Sequence, residues 1–350
     1  MNRQRILWVD YAKGIAILLV FLMHSAFPES TTAYISSFCM MLFFFLSGFV
    51  FSIRRFSSFW PFLWNKIRTL VVPGLVLSVL PFLIQVPFQK NAHSLGWYVK
   101  YFIGYCVNLR GKEGFGQIPW FLTCLFIIEL GGFFLVQCAQ RTQNMIRTYA
   151  IVSIAALVAG YAYSVLVHVT LPWSVDIAVT MAPYFILGLI ARKNVDAFSR
   201  LLNKRYMVAA LLLLFLGTYL DGRIFGACIN PYMNQYGNIF CFLAASIGGM
   251  WFVLSLCYMM GSSAKSFGFF TYCGRNTLVF YCINQAIESY FPSMLRLVGL
   301  DTTSGCVWTQ IACGLITVII NLVFCSACAS VINGFAPFLL GKSVRTVSKR

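Results

Sequence analysis

Three ionisable side chains interrupt a single apolar run near the start of the chain, WVDYAKGIAILLVFLMH: Asp10, Lys13 and His24. At 100° per residue they fall within about 60° of one another, so a helix through this run carries all three on one face. Lys13 and His24 are eleven residues apart, about 16 Å along such a helix. One face then joins a cation near one membrane surface to an imidazole deep in the bilayer, and an imidazole can exchange protons near neutral pH. Charge at membrane depth is costly, so groups of this kind are either paired for structure or placed for function. In the structural alternative Asp10 caps or pairs locally, Lys13 snorkels to the headgroups, and His24 donates to a backbone carbonyl.

Further candidates lie downstream. In PWFLTCLFIIEL, Glu129 stands nine residues past Trp120, about 13 Å into a helix. A carboxyl there must be protonated, paired with a cation of another helix, or turned to water, and it is the second candidate for a base after His24. NKIRTLVVPG places Lys66 and Arg68 ahead of Pro73, at the cytoplasmic mouth of a span whose first turn the proline ends or kinks, as topological charges or as ligands for an anion. GRNTLVFYCINQAIE sets Arg275 and Asn276 at the edge of another span, with Asn284 and Glu288 at i, i+4 on one face. In MLFFFLSGFV, Ser47 and Gly48 break an aromatic run. Packing explains the glycine, while the serine could serve equally as a donor to bound substrate. Cys325 and Cys328 form a CxxC inside a hydrophobic run with no second ligand pair, so no metal site is expected.

The elements that must hold these residues are membrane helices. Of 350 residues, 60% are apolar and only 10% charged, against roughly 45–50% and 25% in a soluble domain. Mean hydropathy is +0.80, and several runs reach the length of about 20 residues that crosses a bilayer. Thirteen cysteines, an odd number, lie mostly within apolar stretches and make no disulfide framework. Hydropathy predicts an all-α polytopic membrane protein with about ten transmembrane helices, centred near Ile17, Phe45, Val79, Ile127, Leu157, Phe185, Leu214, Trp251, Tyr281 and Val318. The net charge of +17 would suggest nucleic acid in a soluble protein. Here 20 of the 26 basic residues fall on the two ends and the even loops. The positive-inside rule therefore puts both termini in the cytoplasm and accounts for the charge without nucleic acid. The first run lacks a small-residue cleavage site and is expected to stay as the first helix. WYVKYFIGYCV, in the outer segment 89–119, is too short and too broken to span and reads as an interfacial cap. With no internal repeat and no long linker, residues 1–350 read as a single membrane domain.

In order along the chain, the helix-one motif with Asp10, Lys13, Gly14 and His24, FFFLSGF around Ser47, Lys66 with Arg68 and Pro73, PWFL and the following LF, and GRNTL from Gly274 resemble the integral-membrane acyltransferase-3 family. The resemblance is to its fucose 4-O-acetylase-like branch of carbohydrate O-acetyltransferases. It implies about ten helices and transfer of an acetyl group from acetyl-CoA, as co-substrate, to a hydroxyl of a cell-surface carbohydrate or its lipid-linked precursor. It further implies that His24 is the catalytic residue and that Lys13 helps bind the donor, in a multi-pass protein of the plasma (inner) membrane. The chain departs from many members in having Lys13 for arginine, Arg68 and Thr69 for two arginines, and Asn284 for histidine. Lysine keeps the charge and loses the bidentate phosphate geometry.

With that resemblance, the polyanionic CoA nucleotide is expected against Lys13, Lys66, Arg68 and Arg275, while Asp10, Ser47, Asn276, Asn284 and Glu288 form the substrate-binding set. His24 takes the hydroxyl proton as general base, or alternatively relays the acetyl group itself. A secondary transporter or flippase for an anionic or glycan substrate is the rival class, since intramembrane charges suit it too. The two related halves common in transporters are not evident in the sequence.

Overall fold

A computed structural model describes residues 6–85, 93–112, 117–263, 266–284 and 306–341. The chain is about 80% helical, without strands among the described residues. In order the helices are α1 Leu7–Met23, α2 Glu29–Ser36, α3 Cys39–Val50, α4 Phe59–Lys66, α5 Val72–Gln85, α6 Leu95–Val107, α7 Trp120–Gln140, α8 Met145–Leu166, α9 Val175–Lys193, α10 Val195–Arg200, α11 Lys204–Ile224, α12 Ile239–Gly261, α13 Gly268–Arg275 and α14 Val307–Phe335. A π turn over Ile67–Val71 joins α4 to α5. Several helices start where an Asn or Ser side chain takes up an orphan backbone N–H. Ser94 accepts from Trp97, Asn144 from Arg147, Asn203 from Tyr206, and Asn238 from Phe240 and Cys241.

Eight helical stretches are long and apolar enough to cross a membrane: Glu29–Val50, Phe59–Val79, Trp120–Gln140, Met145–Leu166, Pro172–Lys193, Lys204–Ile224, Ile239–Gly261 and Val307–Phe335. This is an all-α polytopic membrane protein. Helix α1, with 17 residues, is shorter than these, and the expected span near Tyr281 is described only over residues 277–284, which are helical. The third span begins earlier than hydropathy suggests, at Phe59 rather than in the turn that leads to Pro73. The aromatic stretch FWPFLW supplies its first two turns, which carries Lys66 and Arg68 into the helix instead of leaving them at its mouth.

Contacts divide the chain into two compact units. The first comprises Met1–Phe51, Tyr184–Thr277 and Phe291–Ile320. Its core is aromatic: Phe44, Phe45, Phe49 and Phe242 are fully buried, and Trp8 packs edge-on against Phe49. Here α3 crosses α9 at a point where a Cβ on Gly48 would strike the Phe185 backbone and one on Gly188 the Phe45 backbone. Gly48 is therefore a packing glycine, with small residues allowing the main chains to touch.

The second unit comprises Ser52–Pro183, Leu278–Tyr290 and Asn321–Arg350. Phe62 and Phe133 pack with tilted rings, centroids 4.8 Å apart, and bring α4 against α7. The cap segment forms α6, whose 13 residues make about 20 Å of helix. His93, Trp97 and Tyr101 stack along one side of it, and Tyr105 meets Tyr101 edge-on. Leu95, Val99, Phe102, Ile103 and Val107 are exposed on it, and burial pushes the Tyr105 phenol above its usual range.

Candidate functional site

In the first unit, α1 and α13 cross at two glycines. A Cβ on Gly14 would collide with the Phe270 carbonyl, and one on Gly274 with the carbonyl of Asp10. Only glycine allows so close an approach, and the approach sets Arg275 beside Asp10, with Nε 4.0 Å from Oδ2. The Tyr11 hydroxyl fixes the same crossing by accepting from the backbone N–H of Phe267 at 3.4 Å. Asn276 caps α13, and its amide donates to the Tyr272 carbonyl at 3.0 Å. Asp10 and Asn276 are buried, Lys13 is half-buried and Arg275 is 43% exposed. One carboxylate and two cations thus gather around the first turns of α1.

Helix α1 continues unbroken from there to Met23, and His24 is its C-cap, with its backbone N–H donating to the Val20 carbonyl at 3.2 Å. The spacing of about 16 Å from Lys13 holds, but the imidazole stands at the end of the helix, exposed, and not within its apolar body. The chain turns at Ser25–Pro28 before α2 begins, so α1 does not continue past His24. Ser47 is half-buried on α3, next to the Gly48 crossing.

In the second unit the Lys66 ammonium lies 2.9 Å from Glu129 Oε2, with the two side chains 18% and 8% exposed. Lys66 is seven residues into its span and Glu129 nine into α7, about 10 and 13 Å of helix. The ammonium also sits over the Phe62 ring, 5.4 Å from its centroid. Of the alternatives open to Glu129, pairing with a cation from another helix is the one found. Arg68 follows within the π turn, exposed, and makes no ion pair among the described residues. Pro73 explains the widened turn in part: it cannot donate to the carbonyl four residues back, so the α ladder is already interrupted there. The Thr69 hydroxyl steadies the turn by donating to the Asn65 carbonyl at 2.8 Å. Asn284 is buried at the end of the described helical residues 277–284. Glu288 lies outside the described residues.

One charged pair escapes the sequence reading. Arg110 donates twice to Asp176, Nη1 to Oδ1 at 3.0 Å and Nη2 to Oδ2 at 2.6 Å, with side chains 4% and 1% exposed. Around it Asn108, Trp173 and Ser174 all adopt the left-handed region, at φ 44°, 59° and 56°. Such a conformation is unusual for tryptophan and persists only when the surroundings hold it. They do so here. The Trp173 backbone N–H donates to the Asn108 carbonyl, its indole N–H donates to the Cys106 carbonyl, both at 3.1 Å, and its ring packs on Phe126. The signal in the sequence is Asp176 itself, an acidic residue at the start of an apolar run, which a search for charges inside spans passes over.

No cluster of His, Cys, Asp or Glu with metal-ligand geometry occurs among the described residues. No curated protein and no solved structure matches the chain. A family model does match, and it covers residues 6–329, nearly the whole length, including the α1 face, the Lys66–Glu129 pair and the GRNTL segment. The family is the one described as an acyltransferase domain, and the chain belongs to it, the acyltransferase-3 family of membrane acyltransferases.

Proposed function

We propose that this membrane acyltransferase moves the acetyl group of acetyl-CoA to a hydroxyl of a cell-surface carbohydrate or its lipid-linked precursor. It acts in the plasma (inner) membrane with both termini in the cytoplasm. The observation that carries the proposal is helix α1, which is unbroken from the charged cluster of Asp10, Lys13 and Arg275 at one end to His24 at the other. Lys13 and Arg275 offer cations to the phosphates of the donor, and Asp10 orients Arg275. The roughly 16 Å between Lys13 and His24 is of the same order as an extended pantetheine arm. His24 is exposed at the helix end, where an incoming hydroxyl can reach it.

The chemistry then balances on one side chain. A neutral His24 nitrogen takes the proton of the acceptor hydroxyl as its oxygen attacks the thioester carbonyl. The C–S bond breaks, and the imidazolium returns that proton to the departing thiolate, giving the acetyl ester and free CoA. In the relay variant the imidazole nitrogen attacks first and passes the acetyl group on. Ser47 and Asn276 are offered to the acceptor as hydrogen-bonding groups. Purified protein incubated with radiolabelled acetyl-CoA and a cell-envelope glycan extract should release CoA and label the glycan. An intact thioester after prolonged incubation, with transport of either component across a vesicle membrane, would overturn the proposal in favour of a transporter.

A further inference from the structure

Residues 192–206 hold five cations, Arg192, Lys193, Arg200, Lys204 and Arg205, against one acid, Asp196. All lie in the first unit, and three of the cations surround the turn between α10 and α11. Arg200, Lys204 and Arg205, with Leu201, Asn203 and Tyr206, line an open cavity of about 580 Å³, within the roughly 300–1,000 Å³ of small-ligand sites. None of these three cations makes an ion pair among the described residues, and Asp196, four positions before Arg200, is not paired with it. Their placement runs against helix electrostatics. Lys204 and Arg205 open α11 at the positive end of its dipole, where a cation is unfavourable and an anion is favoured. The backbone of the turn is fixed. The Trp251 indole N–H donates to the Leu201 carbonyl at 3.2 Å, the Asn203 amide donates to the Arg200 carbonyl at 2.9 Å, and the Asn203 side chain accepts from the Tyr206 backbone N–H at 3.2 Å.

Beyond the cavity α11 has two unlike faces. Ala210, Leu214, Gly217 and Asp221 are buried, and a Cβ on Gly217 would strike the α12 backbone at Cys241 and Ala245. Val208, Leu212, Phe215, Leu216 and Tyr219 are exposed, and their spacing sets them on one stripe of the helix. The stripe begins one turn past Lys204 and runs through the membrane-crossing stretch Lys204–Ile224. We propose that the cavity holds the headgroup of one anionic phospholipid, with Arg200, Lys204 and Arg205 around its phosphate and its acyl chains along the exposed stripe of α11. A phosphate answers the cations and the helix N-terminus together. Of the phosphates a cell offers, a lipid's also brings the apolar chains that cover the stripe, whereas a soluble one uses the cavity alone. Topology asks only that cations lie on this side of the membrane, not that they share a cavity with a helix N-terminus. The inference goes beyond the acyl-transfer reading and does not depend on it.

The test titrates the purified, delipidated full chain in detergent with dioleoyl-phosphatidylglycerol or dioleoyl-phosphatidylcholine and reads bound lipid by native mass spectrometry. The parent should bind the first phosphatidylglycerol at least about ten-fold more tightly than phosphatidylcholine, and that lipid should raise its thermal midpoint. Lys204→Gln/Arg205→Gln should cut the preference at least about five-fold and leave phosphatidylcholine binding unchanged. Both side chains are exposed, so the lipid-free thermal midpoint should match the parent's. Arg205→Lys, which keeps the charge, should retain most of the preference. Arg54→Gln/Arg55→Gln, which removes two exposed cations of the other unit, should stay within about two-fold of the parent. Equal losses in the two double variants would reduce the turn to diffuse topological charge and overturn the inference. Equal binding of the two lipids by the parent would overturn it as well. Displacement of the bound phosphatidylglycerol by coenzyme A or by inorganic phosphate would give the cavity to a soluble phosphate ligand and overturn the lipid assignment.

Discussion

Arg110 and Asp176 are joined by two parallel hydrogen bonds in an almost water-free setting, and they tie the segment after α6 to the first turn of α9. Breaking a buried pair from one side strands a charge, at a cost of about 3–5 kcal/mol, whereas removing both partners in favour of apolar side chains costs far less. Asp176→Asn and Arg110→Met should each lower the thermal midpoint of the detergent-solubilised protein steeply. The double variant Arg110→Met/Asp176→Leu should recover most of the loss. A double variant as unstable as the worse single one would show that the hydrogen bonds, and not the charges, hold the segment.

The α1–α13 crossing gives a sharper contrast. Gly14→Ala and Gly274→Ala push a methyl group into a main-chain carbonyl, where neither side can yield cheaply. Overpacking of this kind costs about 1–3 kcal/mol or more. Gly131, on α7, has open space where a Cβ would go, so Gly131→Ala should stabilise by up to about 1 kcal/mol through helix propensity. Yields of folded protein by size-exclusion chromatography, with thermal midpoints, separate the two classes.

His24 is exposed at the end of its helix, so conservative replacement should leave the fold intact. Asn and Gln retain hydrogen bonding but cannot shuttle a proton near neutral pH. His24→Asn and His24→Gln should therefore express and bind acetyl-CoA like the parent while turnover falls at least about 100-fold. Turnover within a few-fold of the parent in single-turnover assays would assign His24 a structural role.

Topology can be read from loops whose residues are exposed. Reporters inserted at Lys193 and at the C-terminus should map to the cytoplasm, and one at Lys112 to the outside. The native Cys228, exposed in the α11–α12 connection, gives an internal check. Burial first, then the Asp221 and Glu29 carboxylates, push its thiol above the ordinary cysteine range. Thiolate is the reactive form, so labelling by an impermeant maleimide should keep rising past about pH 9 and should come from outside the cell. An external C-terminus would contradict the positive-inside assignment.

The helical plan is legible in the sequence because lipid demands long apolar runs, and seven of the eight such runs stand where hydropathy puts them, the third starting earlier, at Phe59. The spacing along α1 is legible for the same reason: one helix from Leu7 to Met23 fixes the distance from Asp10 and Lys13 to the His24 C-cap without help from the rest of the chain. What stays hidden depends on contacts between segments. Charges mark the edges of spans in a hydropathy reading, so Lys66 falls at a mouth, and its contact with Glu129 on a neighbouring helix, which helps it to be tolerated further in, is invisible there. His24 reads as buried because the apolar run continues past it, whereas the turn at Ser25–Pro28 ends the helix there. The Arg110–Asp176 pair joins positions 66 residues apart, a separation that no periodicity reports.

The π turn at Ile67–Val71 is, in effect, one surplus residue stored inside a membrane helix. Deleting a residue there would leave a continuous α ladder with α5 still presenting its present face, because the wide turn is what absorbs the extra residue. Only the angle between Lys66 and Arg68, at and within the turn, would change. Related chains that differ here by a single insertion or deletion would keep the face of α5 while spacing these two cations differently.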